Sequence, residues 1–596
     1  MTDETTPPAL PPAGSGETPP AGFGEGPLVP AGEPAPGAPA GAPTPAPVVP
    51  SRPSRRRWAL ALLVTGLVVA LTAGLLVLVS SGGAASRLAG WVPADTYAYA
   101  EVRLEPPGDQ GRQAIDFLAR FPGFADRAQL DAKLTDLLDR LVGEASAGRT
   151  SYSAVKPWLG DALALAVSGP PPVAGQAAPS LLVATTRDPA AARQWLDSTV
   201  WSAGAESATY EGVELVVGTA GGQAWAAGVV DTVLLAGERG AVEAAIDTRG
   251  SGPFASSPSF RAALASLGGE SLAVAWLDPG RVVGAALGAL PAGAALDGAL
   301  AGELPAWAGL ALRAHGDALE VLITSPALEG GRATTNRPST LVSLLPATTL
   351  VAAEAHDVGL AIGDLVERLA ADPRTADGAK QLELALGSLG GLDSFTSWMG
   401  DGGLVVTGQG GGLDGGLVVA VLDEPAAAAR LASLRDLLTL AGGAAGIEVR
   451  DEPYGTGQIT SIDLGDPARL FGGAAPGEAP VPAGSRLVFA WTLQKGMFVL
   501  GLGDPFVKQV IDTTAGATLA ESPRYRAAIE RAGSPNAGQV YVDLAGLIES
   551  SAALLPAGER ARYEQEVRPF VEPLGALAAA GLAGDPIRVR FIVTTR

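Results

Sequence analysis

The chain has 596 residues, a formal net charge of −21, 79 Gly, 48 Pro and no Cys, with 47% hydrophobic but only 5% aromatic residues. The missing cysteine excludes disulfide bracing, a thiol nucleophile, a CxxC redox pair and an iron–sulfur site. The acidic surplus repels phosphate backbones, which makes nucleic acid a poor partner, and the length exceeds what one hydrophobic core holds.

Residues 1–57 hold five acids and four Arg, so about −20 of the charge belongs to the remainder. Fifteen Pro fall within residues 1–50, with Ala and Gly filling most of the rest. Proline fixes φ and donates no hydrogen bond, and no apolar periodicity offsets the entropy of ordering. The expectation for 1–57 is a disordered, Pro-rich tail.

Trp58–Val79 (WALALLVTGLVVALTAGLLVLV) carries no charge and stands directly after Arg52, Arg55, Arg56 and Arg57. At 1.5 Å per residue such a run crosses a hydrocarbon core of about 30 Å. The arginines hold the preceding tail in the cytoplasm and place residues 80–596 on the other side of the membrane. Cleavage as a signal peptide is the rival reading. The run is far longer than an ordinary signal-peptide core, which favours a retained single-pass signal-anchor. Residues 80–87 form a short spacer.

The rest reads as an internal duplication. Val233–Thr248 corresponds to Phe498–Thr513, and at the same offset Ser257–Leu264 (SPSFRAAL) falls on Ser522–Ile529 (SPRYRAAI) and Trp276-Leu277-Asp278 on Tyr541-Val542-Asp543. With small shifts, Trp91–Glu101 matches Leu344–Glu354, Trp158–Asp161 matches Trp398–Asp401, and Asp188-Pro189 matches Glu424-Pro425. Six collinear blocks imply two similar units, residues 88–330 and 338–596, joined near Gly330–Ser339.

In each unit a strand opens the order (Thr96–Leu104; Thr349–Ala355). A helical stretch comes next, Ala114–Val142 in the first. Strands Ala162–Val167 and Leu181–Thr185 precede a helix capped by Asp188 with Pro189 at its first position. Short helices lie at Gly240–Asp247 and Pro258–Ser266, and a final strand closes each unit (Leu319–Thr324; Arg588–Thr594). The expected fold class is α+β: two tandem units of mainly antiparallel sheet with helices on one face, preceded by one transmembrane helix. Parallel βαβ winding through Leu181–Leu196 is the alternative.

Chemistry is sparse. The two histidines, His315 and His356, stand in no metal-ligand spacing and read as turn or surface residues. No GxSxG elbow offers a serine. Gly408–Gly416 (GQGGGLDGG) lacks the Lys-Ser/Thr of a phosphate loop and reads as a hairpin turn. The recurring acids Glu101/Glu354, Asp161/Asp401 and Asp278/Asp543 read as fold-supporting, with Asp161 and Asp401 in turns before strands. Trp158 and Trp398 read as core anchors.

The blocks Val92-Pro93-Ala94-Asp95-Thr96, Lys156–Asp161 and Ser257-Pro258-Ser259-Phe260 resemble a bacterial family catalogued as domain of unknown function 3352, over most of residues 88–596. The resemblance implies a membrane-anchored extracytoplasmic protein with no assigned activity, and it carries over no catalytic residue. The resulting expectation is a non-catalytic binding or structural module, with no catalytic, cofactor-binding or metal-ligating residue and no cofactor. Its partners are the membrane and an unidentified hydrophobic ligand or envelope protein. The alternative is an extracytoplasmic hydrolase built from carboxylates and acting on the cell envelope. Reporter fusions placed before Arg52 and after Gly90 test the topology. The expected result is a cytoplasmic signal from the first only, and a cytoplasmic signal from the second refutes it.

Overall fold

The computed structural model describes residues 86 and 88–596, apart from 106–107, 146–147, 149, 170–177, 200–204, 221–222, 289–303, 329–333, 372–374, 388–389, 410–411, 446, 466–485 and 515. The tail and the apolar run at Trp58–Val79 lie outside the described residues. Among the described residues no helix is long and apolar enough to cross a membrane.

Ten strands fall in the first half: β1 (Ala98–Arg103), β2 (Leu159–Val167), β3 (Ser180–Thr186), β4 (Glu206–Tyr210), β5 (Val213–Ala220), β6 (Gln223–Val230), β7 (Val233–Glu238), β8 (Ala273–Leu277), β9 (Ala308–Ala314) and β10 (Ala318–Ser325). The second half supplies β11 (Thr349–Ala355), β12 (Met399–Gln409), β13 (Gly412–Val421), β14 (Glu448–Tyr454), β15 (Gly457–Asp463), β16 (Val488–Gln494), β17 (Met497–Leu502), β18 (Gly538–Val542), β19 (Leu574–Leu582) and β20 (Ile587–Thr595). All are joined in one open sheet. Its first half runs β4-β5-β6-β7-β3-β2-β1-β8-β9-β10. It continues across β10–β20 as β20-β19-β18-β11-β12-β13-β17-β16-β15-β14. Read outward from that seam, the two halves have the same order, and β4 and β14 are the outer edges. Every pairing among the described strands is antiparallel, so the parallel alternative is set aside. The two halves are continuous through one sheet rather than joined only by a linker.

One row of paired residues crosses the seam: Ala164, Glu101, Val274, Ala311, Leu322, Arg590, Ala580, Gln539, Glu354 and Gly403. Residues opposite one another in neighbouring strands share a face. The row therefore sets Glu101 and Glu354 at equal rank on either side of a local two-fold passing between Leu322 and Arg590.

The helices show the same pairing. The first half has α1 (Gln110–Leu118), α2 (Arg127–Ala145), α3 (Tyr152–Val155), α4 (Pro189–Ser198), α5 (Arg239–Thr248), α6 (Pro258–Leu267) and α7 (Pro279–Gly288). The second has α8 (Val358–Ala371), α9 (Ala376–Gly387), α10 (Leu392–Thr396), α11 (Glu424–Ala445), α12 (Asp504–Ile511), α13 (Pro523–Ala532) and α14 (Leu544–Leu554), followed by two short helices, Ala557–Arg562 and Arg568–Val571, without counterpart among the described residues of the first half. Their starts are written locally. Ser257 and Ser522 accept the Phe260 and Tyr525 amides at the heads of α6 and α13, each with Pro at the first position. Asp188 caps α4 and Asp423 accepts the Ala426 amide at the head of α11, so Asp188 corresponds to Asp423 and the block match shifts by one residue. The helical stretch expected over Ala114–Val142 is two helices, because Pro122 lies between α1 and α2.

Helices cover both faces, which corrects the expectation of one. In the first half α5 and α6 pack on Ala164, Leu181, Val183 and Leu235, while α4 packs on Trp158, Ala184 and Leu234. In the second, α12 and α13 cover Val405, Val418 and Val499, and α11 covers Trp398, Val419 and Phe498. Neighbouring strand residues such as Val418 and Val419 point to opposite faces, so a strand apolar at consecutive positions needs cover on both.

The seam carries a buried ion cluster. Glu320 on β10 meets Arg313 of its own half at 3.0 Å and Arg590 of the other at 3.6 Å, and His315 Nε2 lies 2.9 Å away. Desolvation pushes the Glu320 carboxyl upward, but His315, Arg590 and Arg313 outweigh it and hold the group below its ordinary value. A depressed carboxyl contributes stability above its unfolded pKa and loses it as pH falls through the folded value. Glu320→Gln is expected to lower unfolding free energy by about 1–3 kcal/mol near neutral pH, because it removes the buried carboxylate that two guanidinium groups share, although each keeps backbone carbonyl acceptors. The loss should shrink as pH falls below about 4.3, the ordinary carboxyl value. Urea unfolding of wild type and variant across pH 3–7, on the order of the range where carboxyls titrate, is the check.

Candidate functional site

The recurring acids part company in the structure. Asp278 and Asp543 are helix caps, accepting the Arg281 and Gly546 amides at 3.1 and 2.9 Å, and Asp543 also pairs with Arg524. They serve the starts of α7 and α14. Asp161 and Asp401 lie within β2 and β12, not in turns, each where the register against the neighbouring strand slips by a bulge. A bulge re-aims a side chain locally. Asp161 accepts the Thr185 hydroxyl. Trp158 and Trp398 are core residues, 5% and 1% exposed, and Gly408–Gly416 spans the β12–β13 hairpin.

In the second half the bulge turns Asp401 toward Glu354 and His356. Carboxylate oxygens of Glu354 and Asp401 and a ring nitrogen of His356 all lie within 4.8 Å of one another. His315 is a half-exposed turn residue as expected, but His356 is buried, its side chain 7% exposed. Glu354 lies near the end of β11 and His356 in the bend directly after it, and β11–β12 pairing, which ends at Ala355–Gly402, brings up Asp401 from 45 positions after His356.

Each atom has a definable state. Glu354 Oε2 accepts from Ser339 Oγ at 2.6 Å and Gln539 Nε2 at 2.7 Å. Glu354 Oε1 has no partner. Burial pushes this carboxyl above its ordinary value, opposed by those two hydrogen bonds. His356 Nε2 lies 3.2 Å from the Asn536 carbonyl, which can only accept, so Nε2 carries hydrogen. His356 Nδ1 lies 3.1 Å from Asp401 Oδ2 but without hydrogen-bond geometry, and stays unpartnered. Asp401 also accepts from Arg337, the Thr340 hydroxyl and the Asp357 amide. Desolvation raises its carboxyl, yet His356, Thr340 and the Asp357 amide prevail and hold it low. Three carboxylates, with Asp357 the third on Arg337, face one guanidinium.

The first half handles its buried acid differently. Glu101, 1% exposed, accepts from Ser86 Oγ and Tyr99 Oη at 2.5 Å each and from Arg103 Nε at 3.0 Å. Ser86 and Ser339 do the same work, each also receiving a backbone amide at the head of a short turn. Arg103 stands two residues after Glu101, as His356 does after Glu354. The first half thus supplies a fixed cation where the second places an imidazole.

A second feature lies beneath α11. A cavity of about 430 Å³ between that helix and the sheet is lined wholly by apolar residues, among them Trp398, Leu434, Leu438, Ile462, Trp491 and Phe498. A neighbouring cavity of about 440 Å³ shares Leu431 and Trp491 with it and is edged by Arg435, Gln458 and Thr460. Arg435 and Thr460 are both bonded to Asp451 there. In the first half Trp195 of α4 lies against Trp158 with ring centroids 5.1 Å apart. By the shared caps Asp188 and Asp423, the α11 position equivalent to Trp195 is Arg430. No aromatic ring reaches Trp398 from that place, and the space remains open.

The sequence leads to the expectation of a hydrophobic ligand without locating a chamber for it, and it does not bring Glu354, His356 and Asp401 together. Scarcity of histidine argues against a metal, although the Glu354-x-His356 spacing at the end of a strand is a usable signal. The place of the chamber depends on how α11 seats on the sheet, which periodicity alone does not reveal.

No curated protein and no solved structure matches the chain. A family model does match, over residues 58–585, beginning at the first residue of the apolar run and taking in both halves of the sheet. The chain belongs to the family described as protein of unknown function (DUF3352).

Proposed function

We propose that the protein is a single-pass, membrane-anchored extracytoplasmic binding protein whose second half holds an elongated apolar molecule. Its sheet descends from one duplicated unit. The observation that carries the binding reading is the chamber beneath α11: about 430 Å³ of space with only apolar walls, within the size range of small-molecule sites. The adjoining space edged by Arg435, Gln458 and Thr460 gives an amphipathic ligand somewhere to put its polar end. The anchor reading rests on the uncharged run at Trp58–Val79 behind four arginines.

The carboxylate hydrolase has less support. Asp278 and Asp543 are committed to helix caps. Glu101 is bonded through both oxygens, and Glu354 and Asp401 are each 6% exposed rather than presented to solvent. A glycosidase pair needs two carboxyls flanking an accessible bond.

Native mass spectrometry of the detergent-solubilised full chain tests the proposal, together with titration by the apolar fluorophore N-phenylnaphthylamine. A retained lipid-class mass, or saturable probe binding displaced by long-chain fatty acids, is the expected result. Leu434→Trp places an indole in the chamber and should weaken probe binding at least ~10-fold, a change of about 1.4 kcal/mol. Equal probe binding by the variant overturns the assignment to this chamber, and so does the absence of both retained mass and probe binding.

A further inference from the structure

The Glu354–His356–Asp401 cluster poses a charge problem that its counterpart in the first half does not have. Glu101 is neutralised by the Arg103 guanidinium at 3.0 Å. Glu354 is 6% exposed and its Oε1 has no partner. The nearest fixed cation, Arg337, is spent on Asp401 and Asp357. Two of the carboxylates, Glu354 and Asp401, are buried, and the half-exposed Arg337 is shared between Asp401 and the exposed Asp357, so with a neutral imidazole the buried pair keeps an uncompensated negative charge. Buried charge of that kind is normally paired or bound to a metal.

The orphaned atoms point inward at one another. Nε2 of His356 donates to the Asn536 carbonyl, so in the neutral ring Nδ1 presents a lone pair. In that neutral form the lone pair faces Asp401 Oδ2 at 3.1 Å, acceptor against acceptor, a contact relieved only by a charged imidazole, the form in which His356 lowers the Asp401 carboxyl, or by a bound cation. Metal-bound histidines characteristically donate their other ring nitrogen to a carbonyl or carboxylate. Bonds of about 2.0–2.2 Å from one nitrogen and two carboxylate oxygens bring the ligand atoms within roughly 3–4 Å of each other. The three atoms lie within 4.8 Å, a separation that small side-chain rotations close.

We infer that Glu354, His356 and Asp401 form a divalent-cation site, taking a metal of the Zn²⁺ or Mn²⁺ class, which does in the second half what the Arg103 guanidinium does in the first. One imidazole with two carboxylates suits those ions better than the all-oxygen shells of Mg²⁺ or Ca²⁺. The site is separate from the chamber beneath α11 and does not depend on it. Its role is structural: it neutralises the buried carboxylates and fixes the β12–β13 bulge that carries Asp401.

The test uses the detergent-solubilised full chain after chelator treatment, titrated separately with Zn²⁺, Mn²⁺ and Ca²⁺, reading bound metal by equilibrium dialysis and thermal unfolding. Co²⁺ serves as a spectroscopic probe through its visible absorption. The expected result is one equivalent of Zn²⁺ or Mn²⁺ bound with a rise in unfolding temperature, little response to Ca²⁺, and a Co²⁺ spectrum displaced by Zn²⁺. Glu354→Gln should remove the bound equivalent and the Co²⁺ spectrum while leaving the metal-free protein folded. His356→Arg recreates the first half's arrangement. It should weaken metal binding at least ~100-fold, about 2.7 kcal/mol, and hold or raise the metal-free unfolding temperature. Glu101→Gln, in the first half, should leave metal stoichiometry unchanged. The inference is overturned if wild type binds no stoichiometric metal, or if both second-half variants bind it as wild type does. It is also overturned if His356→Arg lowers metal-free stability while metal still binds.

Discussion

The antiparallel ladder between β10 and β20 is the contact on which the architecture rests. Eight residue pairs, from Ala318–Thr594 to Ser325–Ile587, join the last strand of one half to the last strand of the other. Without it each half would present a central strand with unpaired N–H and C=O groups along one side, at the place where its own sheet ends. The ladder also brings the buried charges of the seam together, because Glu320 lies on β10 and Arg590 on β20. A linker alone would leave two bodies free to move apart. A shared ladder makes the sheet continuous and gives any displacement of one final strand a direct route to the other.

Around that seam the two halves diverge where function has room to act. Same-rank strands carry Glu101 and Glu354, and the same serine hydrogen bond holds each. The residue two positions later decides what happens to the remaining charge. Arginine closes the first cluster on itself, whereas histidine leaves the second with unpartnered atoms. The halves also differ on the other face of the sheet, where Trp195 packs on Trp158 in the first and an apolar cavity lies beside Trp398 in the second. In both comparisons the first half is the filled version and the second the open one. A duplicated frame tolerates this, since one copy can keep the packing while the other changes.

Much of the frame was legible. Ser257-Pro258 and Ser522-Pro523 named helix starts because a hydroxyl cap and a proline at the first position need only local geometry. The glycine run at 408–416 named a hairpin for the same reason. The strand order was not legible, because β7 inserting beside β3 and β20 meeting β10 are long-range choices that local pattern leaves open. The covering of both faces was written in consecutive apolar residues such as Leu181, Leu182, Val183 and Ala184, yet the alternation of other strands favoured one face. Asp401 could not be tied to His356 from spacing, since the bulge that aims it arises only when β12 pairs with its neighbours in the sheet.

The outer edges of the sheet have a consequence for association between copies. Strands that end a sheet expose backbone groups able to template a neighbouring copy. Edge β14 carries Glu448, Arg450, Asp451 and Glu452 together with Pro453, and edge β4 is short and begins at Glu206. Charge, brevity and a proline are the ordinary guards against edge-to-edge addition. With its central strands joined to each other and its margins guarded in this way, the twenty-strand sheet offers little bare edge for another strand to extend.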